Sequence, residues 1–342
     1  MPLDTDAWAR KGLNIVKDPR GFVLDALAKR VPQAHQAAPV PPARRGPAEE
    51  PAARFEVGAA THPAVARLFS RSEESLHPRV GGPGFSLPDG AQLEVYRLDS
   101  PSAVEQLARA HGVRCDYVDG ALGNVVAVDP SVKAGVTLTF RGSNNVCVLG
   151  ADGHVRGSIR FLSDDGRVVV TGGQEGRRLD VRADLLAPSQ RLFLGSGTSS
   201  EGLRVSIHGR GIAVVLGDDC MVSKEVWFRP SDTRPIVDLE TLEVVNPDAD
   251  IVVEQHVWIQ EQALLCRGAH VRAGSVVTMH SVVLADVAHD IASVLTGHPA
   301  RPLRTGVTWD RSRVTSSATA ERAERVGEII GWATKAIPDA NS

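Results

Sequence analysis

A period of six constrains this chain more than any other feature of its sequence. Stepping by six from Val253 gives Ile259, Leu265, Val271, Val277 and Val283, all aliphatic. The residue four beyond each (Val257, Ala263, Ala269, Ser275, Ser281 and Val287) is small or compact. An α-helix repeats every 3.6 residues and a strand every 2, so neither accommodates a strict six as one continuous element. A coil of three short flat strands does, with roughly eighteen residues to a turn. The aliphatic position then points inward and the small position lets the chain round a corner. Each coil buries its aliphatics on the coil below, so stability becomes a sum of neighbour contacts. The expected fold is therefore mainly β, a parallel β-helix of hexapeptide type. An aromatic content of 4% agrees, because stacked layers of Val and Ile leave little room for rings.

Upstream of this repeat the texture is also strand-like, though less regular. VTLTF (136–140), VCVLG (146–150), SIRFL (158–162), RVVVTGG (167–173), RLFLGSG (191–197), LRVSIHG (203–209) and IAVVLGDD (212–219) are divided by Gly, Asn and Asp. These are read as earlier coils of the same solenoid, with a sandwich or jelly roll as the alternative for that stretch alone. Residues 55–135 read as a small α/β accessory unit. It has a strand at 93–98, a helix from the Asp99-Ser100-Pro101-Ser102 start signal to His111, and a strand at 113–118. Residues 1–31 suggest a helical arm. Residues 32–54 are rich in Pro, Ala and charge and form a linker that cannot bury enough apolar surface to order itself. Residues 136–311 make the solenoid. In 312–342, Ser316 or Ser317 caps a helix with an apolar stripe at Ala323, Val326, Ile329, Ile330, Ala333 and Ile337.

The net charge of −3, from 38 basic and 41 acidic residues, gives no field suited to nucleic acid or an acidic membrane. No apolar run is long enough to span a bilayer. Met1 is followed by an acidic stretch, so no signal peptide is expected. Cys115, Cys147, Cys220 and Cys266 lie far apart, without the pairing of a zinc site or disulfide framework, which fits a cytoplasmic protein. No metal site is expected among the histidines.

The stretch 217–311 resembles the hexapeptide-repeat acyltransferases that O-acetylate capsular and other polysaccharides. The residues that carry the resemblance are Gly217-Asp218-Asp219-Cys220-Met221, Ser231-Asp232, Asn246-Pro247, His256-Val257-Trp258-Ile259, Pro299-Ala300 and Trp309-Asp310-Arg311. The resemblance implies a left-handed β-helix, normally a homotrimer, with acetyl-CoA between neighbouring prisms and a saccharide hydroxyl as acceptor. It also implies a histidine that takes the hydroxyl proton as the thioester is attacked, since a sugar hydroxyl is a poor nucleophile at neutral pH.

At the position of that histidine, in Ser231-Asp232-Thr233-Arg234-Pro235-Ile236, this chain has Arg234. A guanidinium cannot accept a proton. Arg234 is suited to a carboxylate or phosphate on a sugar, or to an oxyanion; the alternative is a surface arginine paired with Asp232 or Asp238. Asp232, Arg234 and His256 are the candidate catalytic positions, although His256 is expected from the family text alone. On the donor side the resemblance points to Trp258, Arg301 and Arg304, and to the Thr278-Met279-His280 corner, bulkier than the small corner that usually lies against pantetheine. Trp258 is equally a candidate for packing in the solenoid wall. Two functions stay open: acyl transfer from acyl-CoA to a saccharide hydroxyl, and a catalytically silent β-helix that binds carbohydrate or scaffolds a partner enzyme.

Overall fold

The computed structural model describes residues 77–80, 84–85, 93–118, 120–150, 154–172, 177–285 and 287–312, with 322–324, 326–327 and 331 near the C terminus. The arm at 1–31, the linker at 32–54 and most of the C-terminal helix lie outside these residues. The described parts of that last segment are helical.

The chain enters through β1 (Glu94–Arg97), α1 (Pro101–His111), β2 (Arg114–Tyr117) and β3 (Val125–Val128). Coils built from one longer and one shorter strand follow: β4 (Gly135–Phe140) with β5 (Val146–Leu149), β6 (His154–Phe161) with β7 (Arg167–Val170), β8 (Arg178–Leu185) with β9 (Arg191–Leu194), and β10 (Ser199–Ile207) with β11 (Ala213–Leu216). From there each coil has three short strands: β12 (Met221–Val222), β13 (Val226–Arg229) and β14 (Ile251–Val253), then β15 (Trp258–Ile259), β16 (Leu264–Cys266) and β17 (His270–Val271). Strands β18 (Val276–Val277) and β19 (Val282–Val283) belong to the next coil, and β20 (Ser293–Gly297) stacks on β18 in the turn above, with β21 (Ala300–Thr305) returning beside it.

Among the described strands coil-to-coil pairing is parallel, and the terminal pairs β1–β3 and β20–β21 are antiparallel. Strand β10 pairs with β12 through Ser199 and Ser200 and with β13 through Leu203 to Val205. One long upstream strand thus covers two faces of the prism that the later coils divide. The bend in β6 falls at Gly157, where φ is 106° and a side chain would collide with the Val181 carbonyl.

The six aliphatics at 253, 259, 265, 271, 277 and 283 are each 0% exposed and belong to one continuous core. Their registers step by one coil, Val253 on Val271 and Ile259 on Val277. The corners are set one position before the small residues. His256, Gln262, Gly268, Gly274 and His280 all have φ between 52° and 70°. Only two are glycine, so the others hold a left-handed conformation against their Cβ.

The division expected at 135/136 is not a boundary in the sheets. Strand β2 pairs with β4 and β3 with β5, so the described part of 93–128 forms the first coil of the solenoid. Helix α1 starts where expected, with Ser100 accepting from the Ala103 amide. It buries Ala103, Leu107 and His111, and Leu107 joins the interior core at its N-terminal end. Val80 and Phe85 pack with Leu93 and Val95 on the outer face of β3, β5, β7, β9 and β11, against Val125, Val148, Val169, Phe193 and Val215. A strand buried on both faces reads as a continuous apolar run. That is why VVAV, VCVL and AVVL lack alternation. Arg79 donates to the buried carboxylate of Glu254 (3.2 Å), and the Gly84 carbonyl accepts from the Asp218 amide (2.7 Å). His270 and the Ala273 amide also donate to Glu254. Burial pushes the Glu254 carboxyl up, but these bonds and the nearby Arg272 charge hold it below its ordinary range.

Two substitutions test these assignments by denaturant or thermal unfolding. Ile259→Ala should cost about 2–5 kcal/mol, as for a buried aliphatic whose cavity cannot collapse. His280→Gly should stabilise by about 0.5–1 kcal/mol, because relief of the left-handed conformation outweighs the added chain entropy of glycine.

Candidate functional site

Two corners of the prism hold the candidate residues. The first is formed where β14 passes to β15. Here the segment 307–311 runs along the outside of the coils and touches a different turn with nearly every residue. The Val307 amide donates to the Ala292 carbonyl, Thr308 Oγ1 to the Gly274 carbonyl and Trp309 Nε1 to the His256 carbonyl. Arg311 then reaches the coils below, donating to Asp219 Oδ1 (2.7 Å), Ser199 Oγ (2.9 Å) and the carbonyls of Gly197, Asp219 and Cys220.

His256 lies under this strap. Its ring is stacked on Trp309 with centroids 4.3 Å apart, and the residue is 4% exposed. Nδ1 is hydrogen-bonded with Asp219 Oδ2 (2.6 Å) and Nε2 with the Trp309 carbonyl (3.0 Å), so both ring nitrogens are occupied. This arrangement uses the imidazole to hold the corner together and leaves no ring nitrogen facing a cavity. Burial pushes the Asp219 carboxyl up, while the His256 bond and the Arg311 charge outweigh it and hold the group below its ordinary range. Trp258 is half-buried beside them, tilted against Trp309 at 6.2 Å, with Nε1 donating to Ser223 Oγ (3.3 Å). The tryptophan thus belongs in part to the solenoid wall.

The second corner lies between β13 and β14. There the chain leaves the prism at Pro230, whose carbonyl accepts from the Ala249 amide as the excursion returns (3.2 Å). Asn246 fastens the base of this loop. Its Oδ1 accepts from the Ile236 amide (2.6 Å), and its Nδ2 donates to Asp232 Oδ2 (3.1 Å) and to the Arg234 carbonyl (2.9 Å). Asp232 also accepts from Arg267 Nε (2.9 Å). These bonds, that of Asn246 first, hold its carboxyl below the usual range. Asp232 is thus paired with Arg267, and Asp238 accepts from Glu240 and Thr241; neither pairs with Arg234. The Arg234 guanidinium is exposed and donates to the neighbouring Thr233 carbonyl. Beneath it lies a cavity of about 430 Å³ lined by Ser231, Arg234, Asn246, Asp248 and His208.

The donor-side candidates are placed apart from this loop. Thr278 bonds to Ser281 and Thr296 through their hydroxyls, and the Met279 amide donates to Gln260 Oε1 (3.2 Å). His280 is exposed at its corner, and Arg301 and Arg304 are exposed on the edge strand β21. Among the described residues no cluster of His, Cys, Asp or Glu is arranged to hold a metal ion. No described helix is long and apolar enough to cross a membrane.

The fold is a parallel β-helix, and the chain is similar to polysaccharide O-acetyltransferases of the hexapeptide-repeat left-handed β-helix kind. No family model matches the chain. It is 27% identical over 99 residues to the polysialic acid O-acetyltransferase of Escherichia coli O1:K1 / APEC, which is 29% of this chain and 32% of that protein. It is 24% identical over 157 residues to the polysialic acid O-acetyltransferase of Neisseria meningitidis, covering 44% of this chain and 70% of that one. The chain thus matches about a third of the length of the first relative. Its fold is similar to the crystal structure of the polySia-specific acetyltransferase NeuO, with a TM-score of 0.50 and 21% identity over 62% of this chain and 90% of that one.

Asp219, Trp309 and Arg311 were legible only as matching text. Their shared role, fastening the strap, emerges only from the fold. It is tested by Asp219→Asn. Because the folded carboxyl titrates below its unfolded value of about 3.9, its contribution is present above that pH and is lost as pH falls through the folded value. The variant should lose about 3 kcal/mol at neutral pH. Its stability should also fall less steeply than the wild type's in acid, as followed by urea unfolding between pH 7 and pH 3.

Proposed function

We propose that the chain transfers an acetyl group from acetyl-CoA to a hydroxyl of an acidic polysaccharide, working as a cytoplasmic homotrimer. The observation that carries this reading is Arg234. Its guanidinium is exposed above a cavity at the base of the loop where the resemblance expects the acceptor, with no carboxylate within ion-pair distance among the described residues. A planar fork of donors fixed at a cavity mouth suits a sugar carboxylate. The two relatives are named for polysialic acid, which carries one carboxylate per residue. The excursion also exposes Ile236, Leu239, Leu242 and Val245, an apolar surface that supports self-association. Four unpaired cysteines suit a reducing compartment.

On the donor side, Trp258, Arg301 and Arg304 would hold the nucleotide and its phosphates, with Thr278 and His280 beside pantetheine. A silent carbohydrate-binding β-helix is the second reading, favoured by the arginine at 234 and the occupied Thr278-Met279-His280 corner. The two separate in a melting experiment. Acetyl-CoA at about a hundred times its dissociation constant should add about 2.7 kcal/mol, whereas a flat response to millimolar donor sinks the enzymatic reading.

The direct assay is incorporation of labelled acetyl into polysialic acid. Arg234→Gln should raise KM for this acceptor about tenfold, the loss of one charge-assisted hydrogen bond of roughly 1.5 kcal/mol. It should leave KM unchanged for a neutral glycan. Equal acceptor KM in variant and wild type removes the carboxylate assignment.

A further inference from the structure

Acyl transfer to a hydroxyl needs a group that takes its proton, and neither obvious candidate qualifies. Arg234 cannot accept a proton, and both ring nitrogens of His256 are occupied inside the strap corner. Another imidazole lines the same cavity as Arg234. His208 follows β10 at the turn into β11, on the prism itself, while Arg234 belongs to the excursion above. It is half-buried, and among the described residues nothing hydrogen-bonds its ring.

The turn that carries it is held firmly. Buried Gln190 donates through Nε2 to the Gly209 carbonyl (2.7 Å), the Leu186 amide donates to the Ile207 carbonyl (3.1 Å), and the Gly211 amide to the Pro188 carbonyl (3.0 Å). At Gly209 a side chain would collide with Asp248, so this turn and the returning excursion are in direct contact. The charged groups that line the cavity with the ring are Arg234 and Asp248, both from the excursion.

We propose that His208 is the general base of the transfer reaction, displaced from the loop to the prism. The proposal rests on the acetyltransferase reading above. Arg234 holds the acceptor carboxylate at the cavity mouth while a neutral His208 ring nitrogen takes the proton from the acceptor hydroxyl. The hydroxyl oxygen forms a bond to the thioester carbonyl carbon of the acyl-CoA. The C–S bond then breaks, and the imidazolium proton passes to the departing CoA sulfur, which restores the neutral ring.

The test compares the wild type with His208→Gln, the double variant His208→Gln/Arg234→His, and the exposed control His154→Gln, using acetyl-CoA and polysialic acid. Loss of a general base is expected to lower kcat by about 10²–10⁴-fold in His208→Gln, with both KM values within about threefold. The double variant, which places an imidazole on the loop, should recover part of the rate. A second measurement uses only wild-type protein: carbethoxylation of His208 read by peptide mass spectrometry should slow when polysialic acid is added. An active wild type with His208→Gln within twofold of it, or a His208 modified equally fast with and without acceptor, overturns the proposal and leaves the acetyltransferase reading standing. A wild type that transfers no acetyl group overturns both.

Discussion

The structure depends on one repeated contact, the seating of an inward aliphatic side chain on its equivalent in the next coil. Each such contact is local in the stack but distant in sequence. Val253 sits over Val271, and Ile259 over Val277, eighteen positions on. The parallel strands between them are too short to be stable alone. Strands β15, β17, β18 and β19 have two residues each. Their backbone pairing persists only because the hydrophobic interior fixes the register, and the interior exists only because the corners repeat at the same interval. The buried amides of Asn124 and Asn145 do comparable work upstream. Each carbonyl oxygen accepts an amide of the following coil, Asn145 and Gly166 respectively.

This division of labour explains what was legible in the sequence. Positions 253 to 283 announce the fold because the coil is built from identical hexads, so periodicity alone places every aliphatic inside. The upstream coils hide the same architecture in longer bent strands. There the spacing follows the bend at Gly157 and the irregular register between Ser200 and Leu203, and no single period survives. The 55–135 segment was harder still. Its helix and first two strands are placed from the sequence and β3 is not, and nothing local reveals that Val80 and Phe85 cover the outside of a sheet whose later strands come from residues far along the chain. A continuous apolar run such as VVAV does signal two buried faces. It does not say what buries the second.

The candidate site divides along similar lines. Arg234 stands out in the text because it occupies a histidine's place, and the loop around it is held by Asn246 and Asp232 from the same matching stretch. His208 carries no such mark. It lies outside the matching residues, and its nearness to Arg234 arises from the stacking of one coil on another, a relation that linear spacing does not express. His256 misleads in the opposite sense. It is prominent in the text, but its ring is consumed by Asp219 and Trp309.

The strap at 307–311 has a mechanical consequence. Solenoids ordinarily fray from an end, one repeat at a time, because each rung is bonded only to its neighbours. Here consecutive residues of a single short segment grip turns at Ala292, Gly274, His256 and Asp219, reaching down to Gly197. A pull applied at the C terminus therefore loads several rungs in parallel through Arg311 before any one of them can peel away, as a cross-tie loads every plank it is nailed to.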